Sequence, residues 1–565
     1  MVDGHYTGKN RWSSRELSSV IAWLAGGLLL RSLIAVWLPV GFDEAYYYLY
    51  TQHLDWSYFD HPLMVALSTG FGPWLTGTVS PFTIRLGTLL LYTGALLFLY
   101  LTSARLFSKQ AAQLTLAIAS LIPIFAIGFG VLTLPDSPLM FFWSATLYVA
   151  ATEFFPDSDY QPTYRLTIIG LLVGLACLSK YHGLALGFGL VGFCLTSSAH
   201  RRALVSPWML GAVALFLLAI APVLIWNSQH DWISFRYQSG RAIPDRGYSL
   251  LELLGVFLLG IAYLFPTFGF PLWWVSGKAV WEVGSGSVEK RNASWFLSHG
   301  SRAEGNGPRT KDFSPSNIQT SKSKITYVLW LSLPLMLIFT LMGGYRAILP
   351  TWPMPGFWGA TLLLGDRAVV WQQRSPKGVR RWLWGSGLAI VTLLLVALLH
   401  LSLGTLQKPS RFAWFGGFLP AQSDASVQLL DIHQIRQGFI DSSVLMKALK
   451  QADFVFTSEI FLAGQVSMAL APLNPPPLTS FTEDLRGFAY WSTAEQWVGK
   501  NGLYLTSTRL ADITPYQTYF ETIQKIAEIP IQRGGAIVEV IQIYYCQNLL
   551  KPYPRPMKTQ DVKGF

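Results

Sequence analysis

The chain has 565 residues, of which 51% are hydrophobic and only 13% charged, with a mean hydropathy of +0.36, a balance that excludes a string of soluble domains and points to an integral membrane protein. The net charge of +11 sits mostly in short loops beside apolar stretches, so membrane topology accounts for it and nucleic acid is not a partner. Three cysteines, Cys177, Cys194 and Cys546, with no CxxC spacing, exclude a disulfide framework and a cysteine metal site.

The first apolar stretch, 18–40, follows Lys9, Arg11 and Arg15 and lacks a small-residue cleavage site, so it reads as a retained helix rather than a signal peptide. About 20 apolar residues cross the hydrocarbon core. On that measure further spans are expected near 82–104, 111–131, 138–153, 166–179, 182–197, 206–226, 249–276, 325–342, 347–365 and 383–404. These belong to an all-α polytopic bundle of about 11 to 13 transmembrane helices. The pair around SKYHG forms a tight hairpin expected to fall short of a full crossing, and the 249–276 span is expected to bend near Pro266 and Pro271.

With the N-terminus cytoplasmic, inner segments carry 21 Lys and Arg, while outer connections up to residue 382 carry four, Arg236, Arg241, Arg246 and Arg346, besides Lys180 at the hairpin tip. That bias supports the orientation. The outer loop 41–81 has no Lys or Arg and contains an apolar stretch, 62–75, expected to lie along the interface as an amphipathic helix. The inner loop 277–324 is rich in Gly, Ser, Asn and Lys and reads as flexible, and its Asn292 sequon faces the wrong side for glycosylation. After residue 404 hydropathy falls. Strands are expected at 453–458, 502–507 and 536–545 and helices at 461–471 and 517–528, giving a membrane domain 1–404 and an extracytoplasmic α/β domain 405–565.

Four acids fall on the outer face in this topology: Asp43 and Glu44 in GFDEAYYY, Asp60 in YFDHPL and Asp136 in LTLPDSP. The end of the first span, the loop before the second and the end of the third emerge on one side, so Asp43, Asp60 and Asp136 can converge. Read blandly, Asp60 caps a helix starting near Pro62, Asp136 caps a membrane turn and Asp43–Glu44 is a solvated helix terminus. The bases on that face are Lys180, His182, Arg236, Arg241 and Arg346, the last following Tyr345; His230 lies in the polar, aromatic loop WNSQHDWISFRYQ. An ionisable residue at the tip of an apolar hairpin, such as Lys180, points to a partner.

The segments DEAYYYLYTQHLDWSYFDHPLMVA, LTLPDSPLMFFWSATLY, GLLVGLACLSKYHGLALG, WNSQHDWISFRYQ and LPTWPMPGFW resemble the GT-C superfamily of polyprenyl-phosphate-dependent glycosyltransferases. They are similar to its bacterial branch related to protein mannosyltransferases and the lipid A aminoarabinose transferase. DFVFTSEIFLAGQVSMAL and DLRGFAYWS resemble that branch's soluble tail.

The resemblance implies an enzyme of the plasma (inner) membrane that transfers a sugar, with inversion, from a polyprenyl-phosphate donor to a lipid, glycan or protein acceptor. It makes Asp43 the general base, with Asp136 also at the catalytic centre. Asp60 and Asp136 match positions tied to a divalent metal or the donor phosphate. His61 stands where the lipid A enzyme has a Lys, and its charge there would depend on pH. Lys180 and Arg346 are further phosphate candidates, and Glu44, His182, Arg236 and Tyr345 complete the expected substrate-binding set. A carboxylate site admits Mg²⁺ or Mn²⁺, and His61 or His230 would admit Zn²⁺. A transporter or flippase of a lipid-linked saccharide is the competing reading, against which stand the outer placement of the acids and the lack of an internal repeat.

Overall fold

A computed structural model describes residues 14–287, 315–408 and 410–554. Among the described residues fifteen α-helices precede the soluble part: α1 (Ser14–Trp37), α2 (Phe42–Gln52), α3 (Met64–Thr76), α4 (Pro81–Leu106), α5 (Lys109–Leu121), α6 (Asp136–Phe154), α7 (Arg165–Ser179), α8 (Gly183–Thr196), α9 (Pro207–Gln229), α10 (Ile233–Gly240), α11 (Leu250–Leu264), α12 (Pro266–Gly284), α13 (Pro315–Met342), α14 (Met354–Arg374) and α15 (Pro376–Leu403). Their starts follow local chemistry. Ser80 caps α4 by accepting from Thr83 N–H with Pro81 at the first helical position, and Ser108 and Ser249 cap α5 and α11 in the same way.

Each expected span falls on a helix or helix pair, yet five of the described helices are long and apolar enough to cross a membrane alone, or six when α11 and α12 count as one bent span. The chain is a multi-pass membrane protein, but the expected span count exceeds what length and composition support. α7 and α8, 15 and 14 residues long, reach only about 20 Å each at 1.5 Å per residue, short of a full crossing. α11 and α12 meet at 115°, with Phe265 at φ 67 between them and Pro266 opening the second helix. The 347–365 span is displaced: Pro350 and Pro353 hold the chain out of helical conformation until Met354.

The 62–75 helix is present as α3, which exposes Leu67, Phe71, Trp74 and Leu75 at helical spacing. Asp60 does not cap it; Leu63 holds that position, and Ser57 pairs with Pro62 in an antiparallel bridge just before. The inner 277–324 loop is shorter than expected, because α12 extends to Gly284 and α13 begins at Pro315. Asn292 lies outside the described residues.

Beyond Leu403 the chain builds a mixed sheet flanked by helices. Short strands β1 (Gln407–Lys408) and β2 (Leu419–Pro420) pair with each other; then come α16 (Ile432–Asp441), α17 (Ser443–Gln451), β3 (Phe454–Thr457), α18 (Ile460–Leu470), β4 (Leu478–Ser480), α19 (Phe488–Trp491), β5 (Gly502–Ser507), β6 (Phe520–Arg533) and β7 (Ala536–Leu549). The sheet order is β4-β3-β5-β7-β6, with β3 parallel to β4 and β5, and β7 antiparallel to β5 and β6. The helix expected at 517–528 is instead the start of β6. Gly534 and Gly535, at φ 55 and 80, form a two-residue turn that registers β6 on β7 along their whole length, and this pairing overrides the helical spacing of Ile523, Ile526 and Ala527.

The soluble part is seated on the helices by close packing. A Cβ on Gly464 of α18 would lie 2.3 Å from the Ala45 backbone of α2, so α2 and α18 touch at main-chain distance. Val40, Ala45, Tyr48 and Ile84 share one apolar core with Ile435, Phe439, Leu462 and Val466.

Candidate active site

Arg85, fully buried in α4, fixes the chain where α1 ends and α2 begins. Its guanidinium donates to the carbonyls of Ala35, Leu38 and Pro39 at 2.7–2.9 Å and to both Glu44 oxygens at 2.8 and 2.6 Å. Glu44 also accepts from the N–H groups of Gly41 at 2.8 Å and Thr133 at 2.9 Å. The structure therefore places Glu44 in a saturated, buried ion pair rather than on the substrate side, and that pair sets α2 beside the strand-like segment leading to Asp136.

The following residues of α2 present Tyr46, Tyr47 and Tyr50, all buried. Tyr47 is the shared neighbour of the acids: burial, then Asp43, Asp60 and Asp136, raise its hydroxyl well above the usual range. Asp43, Asp60 and Asp136 thus all lie within electrostatic reach of one tyrosine hydroxyl. Asp60 accepts hydrogen bonds from Tyr50 Oη and from Arg486 Nη1, the latter at 3.3 Å, and its carbonyl accepts from Gln238. Asp136, in the first turn of α6, holds Lys180 Nζ at 2.8 and 2.9 Å.

Asp43 differs from the other three acids. It is partly accessible, and among the described residues its carboxylate has no hydrogen bond and no ion pair. Its pKa is raised to about 6, first by desolvation and then by Asp60 and Glu44, with Arg486 and Arg241 opposing. Such a carboxylate is ionised at neutral pH yet basic enough to take a proton.

Opposite the acids lie donors without acceptors. Arg241 is stacked over Tyr237 and Trp352, 5.2 and 5.1 Å from the ring centres, and among the described residues its guanidinium makes no ion pair. His61 packs against Tyr47 with its Nδ1 buried and unpartnered, and His182 stacks on Phe339 with its Nε2 likewise. Burial, then Lys180, Arg241 and Arg486, hold the His61 pKa well below the ordinary range. The pH-dependent charge expected of His61 is therefore absent, and it faces the site as a neutral imidazole.

The remaining sequence candidates lie apart. Arg346 is buried and donates from Nη1 to the carbonyls of Gly240 and Ile243 at 3.0 and 2.9 Å, so it holds the segment that carries Arg241, while its buried Nε has no partner among the described residues. Tyr345 packs on Tyr248, and Arg236 is exposed. His230 stacks on Trp226 with Nδ1 2.7 Å from the Trp226 carbonyl oxygen, away from the carboxylates.

The residues do not fit the metal expected of Asp60, Asp136 and His230. Asp136 is neutralised by Lys180 and Asp60 by Arg486, His230 points elsewhere, and no three His, Cys, Asp or Glu among the described residues converge on one point.

Arg486 was not singled out by sequence reasoning, although it lies in the DLRGFAYWS segment. It comes from the soluble part, pairs with Asp60 and Asp484, and lies over the rings of Tyr46 and Phe461. The Gly487 N–H beside it donates to Tyr46 Oη at 3.2 Å.

Comparison with known proteins bears on the same residues. The family model of dolichyl-phosphate-mannose-protein mannosyltransferases matches residues 60–226, a stretch from Asp60 to Trp226. That segment of the chain is thus similar to this family. It is 26% identical over 350 residues to the lipid A galacturonosyltransferase RgtD of Rhizobium johnstonii, covering 61% of this chain and 64% of that protein; it thus spans under two thirds of that relative. Two structures of ArnT from Cupriavidus metallidurans share the fold of this chain. The apo form has a TM-score of 0.53 at 14% identity, covering 94% of this chain and 98% of that one. The form bound to undecaprenyl phosphate has 0.55 at 15% identity, covering 93% and 98%.

Proposed function

We propose that the chain is an inverting glycosyltransferase that moves a sugar from a polyprenyl-phosphate donor to a lipid acceptor on the extracytoplasmic face of the inner membrane. RgtD supports a lipid A-type acceptor by its name, and the undecaprenyl phosphate bound to ArnT supports the donor class. The observation that carries the reading is the unpaired Asp43 within electrostatic reach of Arg241, itself without an ion pair among the described residues.

In a single displacement the acceptor oxygen attacks the anomeric carbon from the side opposite the phosphate. Asp43 takes the hydroxyl proton as the new C–O bond forms, a role worth about 10²–10⁴ in rate. The bond between the anomeric carbon and the phosphate oxygen breaks, its electron pair stays on the phosphate, and polyprenyl phosphate leaves with one more negative charge. Arg241 supplies a fixed positive charge and the two neutral imidazoles supply hydrogen bonds to that charge. Lys180, bound to Asp136, keeps a carboxylate and an ammonium in register at the sugar without adding net charge.

No observation favours the flippase reading, since the acids gather at the end of the bundle beside the soluble part. Purified protein incubated with a panel of polyprenyl-phosphate sugars and lipid A-type acceptors should yield glycosylated lipid and free polyprenyl phosphate by mass spectrometry. Movement of donor across vesicles with no glycosylated product from any pair would sink the proposal.

A further inference from the structure

α15 ends at Leu403, and its outer end is tied to that of α1, where Trp37 Nε1 donates to Ser402 Oγ at 2.6 Å. Both helices are among those long and apolar enough to span a membrane, and each is largely unburied by protein. Residues 402 and 37 therefore mark the level at which two spans leave the bilayer on the side of the soluble part.

The segment that follows does not rise away from this level. Ser410 Oγ donates to the Leu403 carbonyl at 2.6 Å and Trp414 N–H to that of Thr405 at 2.7 Å, so the chain between β1 and β2 folds back on the helix end. From this fold-back project Phe412, Trp414, Phe415 and Phe418, with exposures of 53, 40, 102 and 69%. Lys408 and Arg411 flank them, both exposed.

Phe415 holds φ 53 and is followed by Gly416 and Gly417 at φ 78 and 72. A left-handed backbone is strained for a phenylalanine, and among the described residues its side chain is fully exposed. A strained backbone that presents a fully bare aromatic side chain gains nothing for the fold in water. Large exposed aromatics gathered in seven residues mark a contact surface, and aromatic rings beside cationic side chains suit the headgroup region of a bilayer.

We infer that the loop Arg411–Phe418 is a membrane-insertion loop: its aromatic side chains enter the leaflet on the side of the soluble part, and Lys408 and Arg411 meet anionic headgroups. The contact continues the lipid-facing surface of α15 into the soluble part. Arg411 N–H donates to the Gly534 carbonyl at 3.0 Å, so the loop also fixes the β6–β7 turn at the membrane surface. That turn orients the sheet that carries Arg486 to Asp60. The inference does not depend on which sugar or acceptor is used.

The three native cysteines are buried, so a cysteine placed in the loop can be labelled selectively in the full-length protein. F415C with an environment-sensitive maleimide, in nanodiscs of phosphatidylethanolamine and phosphatidylglycerol, should show blue-shifted emission. It should be quenched several-fold more by lipids spin-labelled near the headgroup than by aqueous iodide. K500C is the reference site. Lys500 lies beside Leu549 at the end of β7 away from the Gly534–Gly535 turn, about 40 Å along the hairpin at 3.3 Å per residue, and its label should show the reverse preference. Iodide quenching at 415 equal to that at 500 would overturn the inference. So would shielding at 415 that grows with protein density but ignores spin-labelled lipid, because that outcome assigns the loop to a protein contact.

Discussion

Arg486 of the soluble part donates to Asp60 at 3.3 Å across 426 residues of sequence, so the sheet domain completes the electrostatics of a site otherwise built by helices. Arg486 also lowers the pKa of Asp43 at longer range. Its loss should therefore raise that pKa above about 6 and shift the acid limb of kcat/KM to higher pH. R486Q should show the shift and R486K should restore most of the wild-type profile. A merely structural role for Arg486 would lower activity at every pH with the limb unmoved.

The Asp43 shift has a consequence for stability. A carboxyl whose folded pKa exceeds its unfolded value contributes fully below the unfolded pKa, about 4, and loses that contribution as pH rises through about 6. D43N should therefore unfold at a higher temperature than wild type at pH 8, with the difference closing toward pH 4. Thermal melts in detergent at both values check the sign.

His61 and Arg241 should separate in their pH behaviour. Burial and neighbouring cations keep His61 neutral, so H61A should raise the KM for the lipid-phosphate donor by a factor constant from pH 6 to 9. R241Q removes the positive charge that stabilises the leaving phosphate and should lower kcat as well, by about tenfold or more. A donor KM that follows His61 titration near pH 6.5 would count against this assignment.

Much of this site was legible before any coordinates. The placement of Asp43, Asp60 and Asp136 on one face followed from counting apolar spans, because a span's length and the charge bias of its loops are local properties. The break at Phe265 was signalled by Pro266. Glu44 was not legible, since neighbours on a helix point about 100° apart and nothing in the DE pair tells which acid α2 turns toward Arg85. Arg486 was hidden by distance along the chain, and so were the carbonyls of Gly240 and Ile243 that accept from Arg346 Nη1. The β6 strand was misread because its apolar spacing suits a helix, while the deciding information lay in the glycine turn and in β7.

The Glu44–Arg85 pair makes a structural prediction. E44Q leaves a fully buried guanidinium without its counter-charge, which costs about 3 kcal/mol or more, so the thermal midpoint of purified protein should fall well below that of D43N. Equal midpoints for the two neighbouring variants would remove the distinction between them.

The role of Asp43 as the base is tested most directly by single-turnover sugar transfer with purified, folded D43N and a saturating polyprenyl-phosphate sugar. Transfer should fall by about 10² to 10⁴ while donor binding and the elution profile match wild type. Transfer within a few-fold of wild type would contradict the assignment.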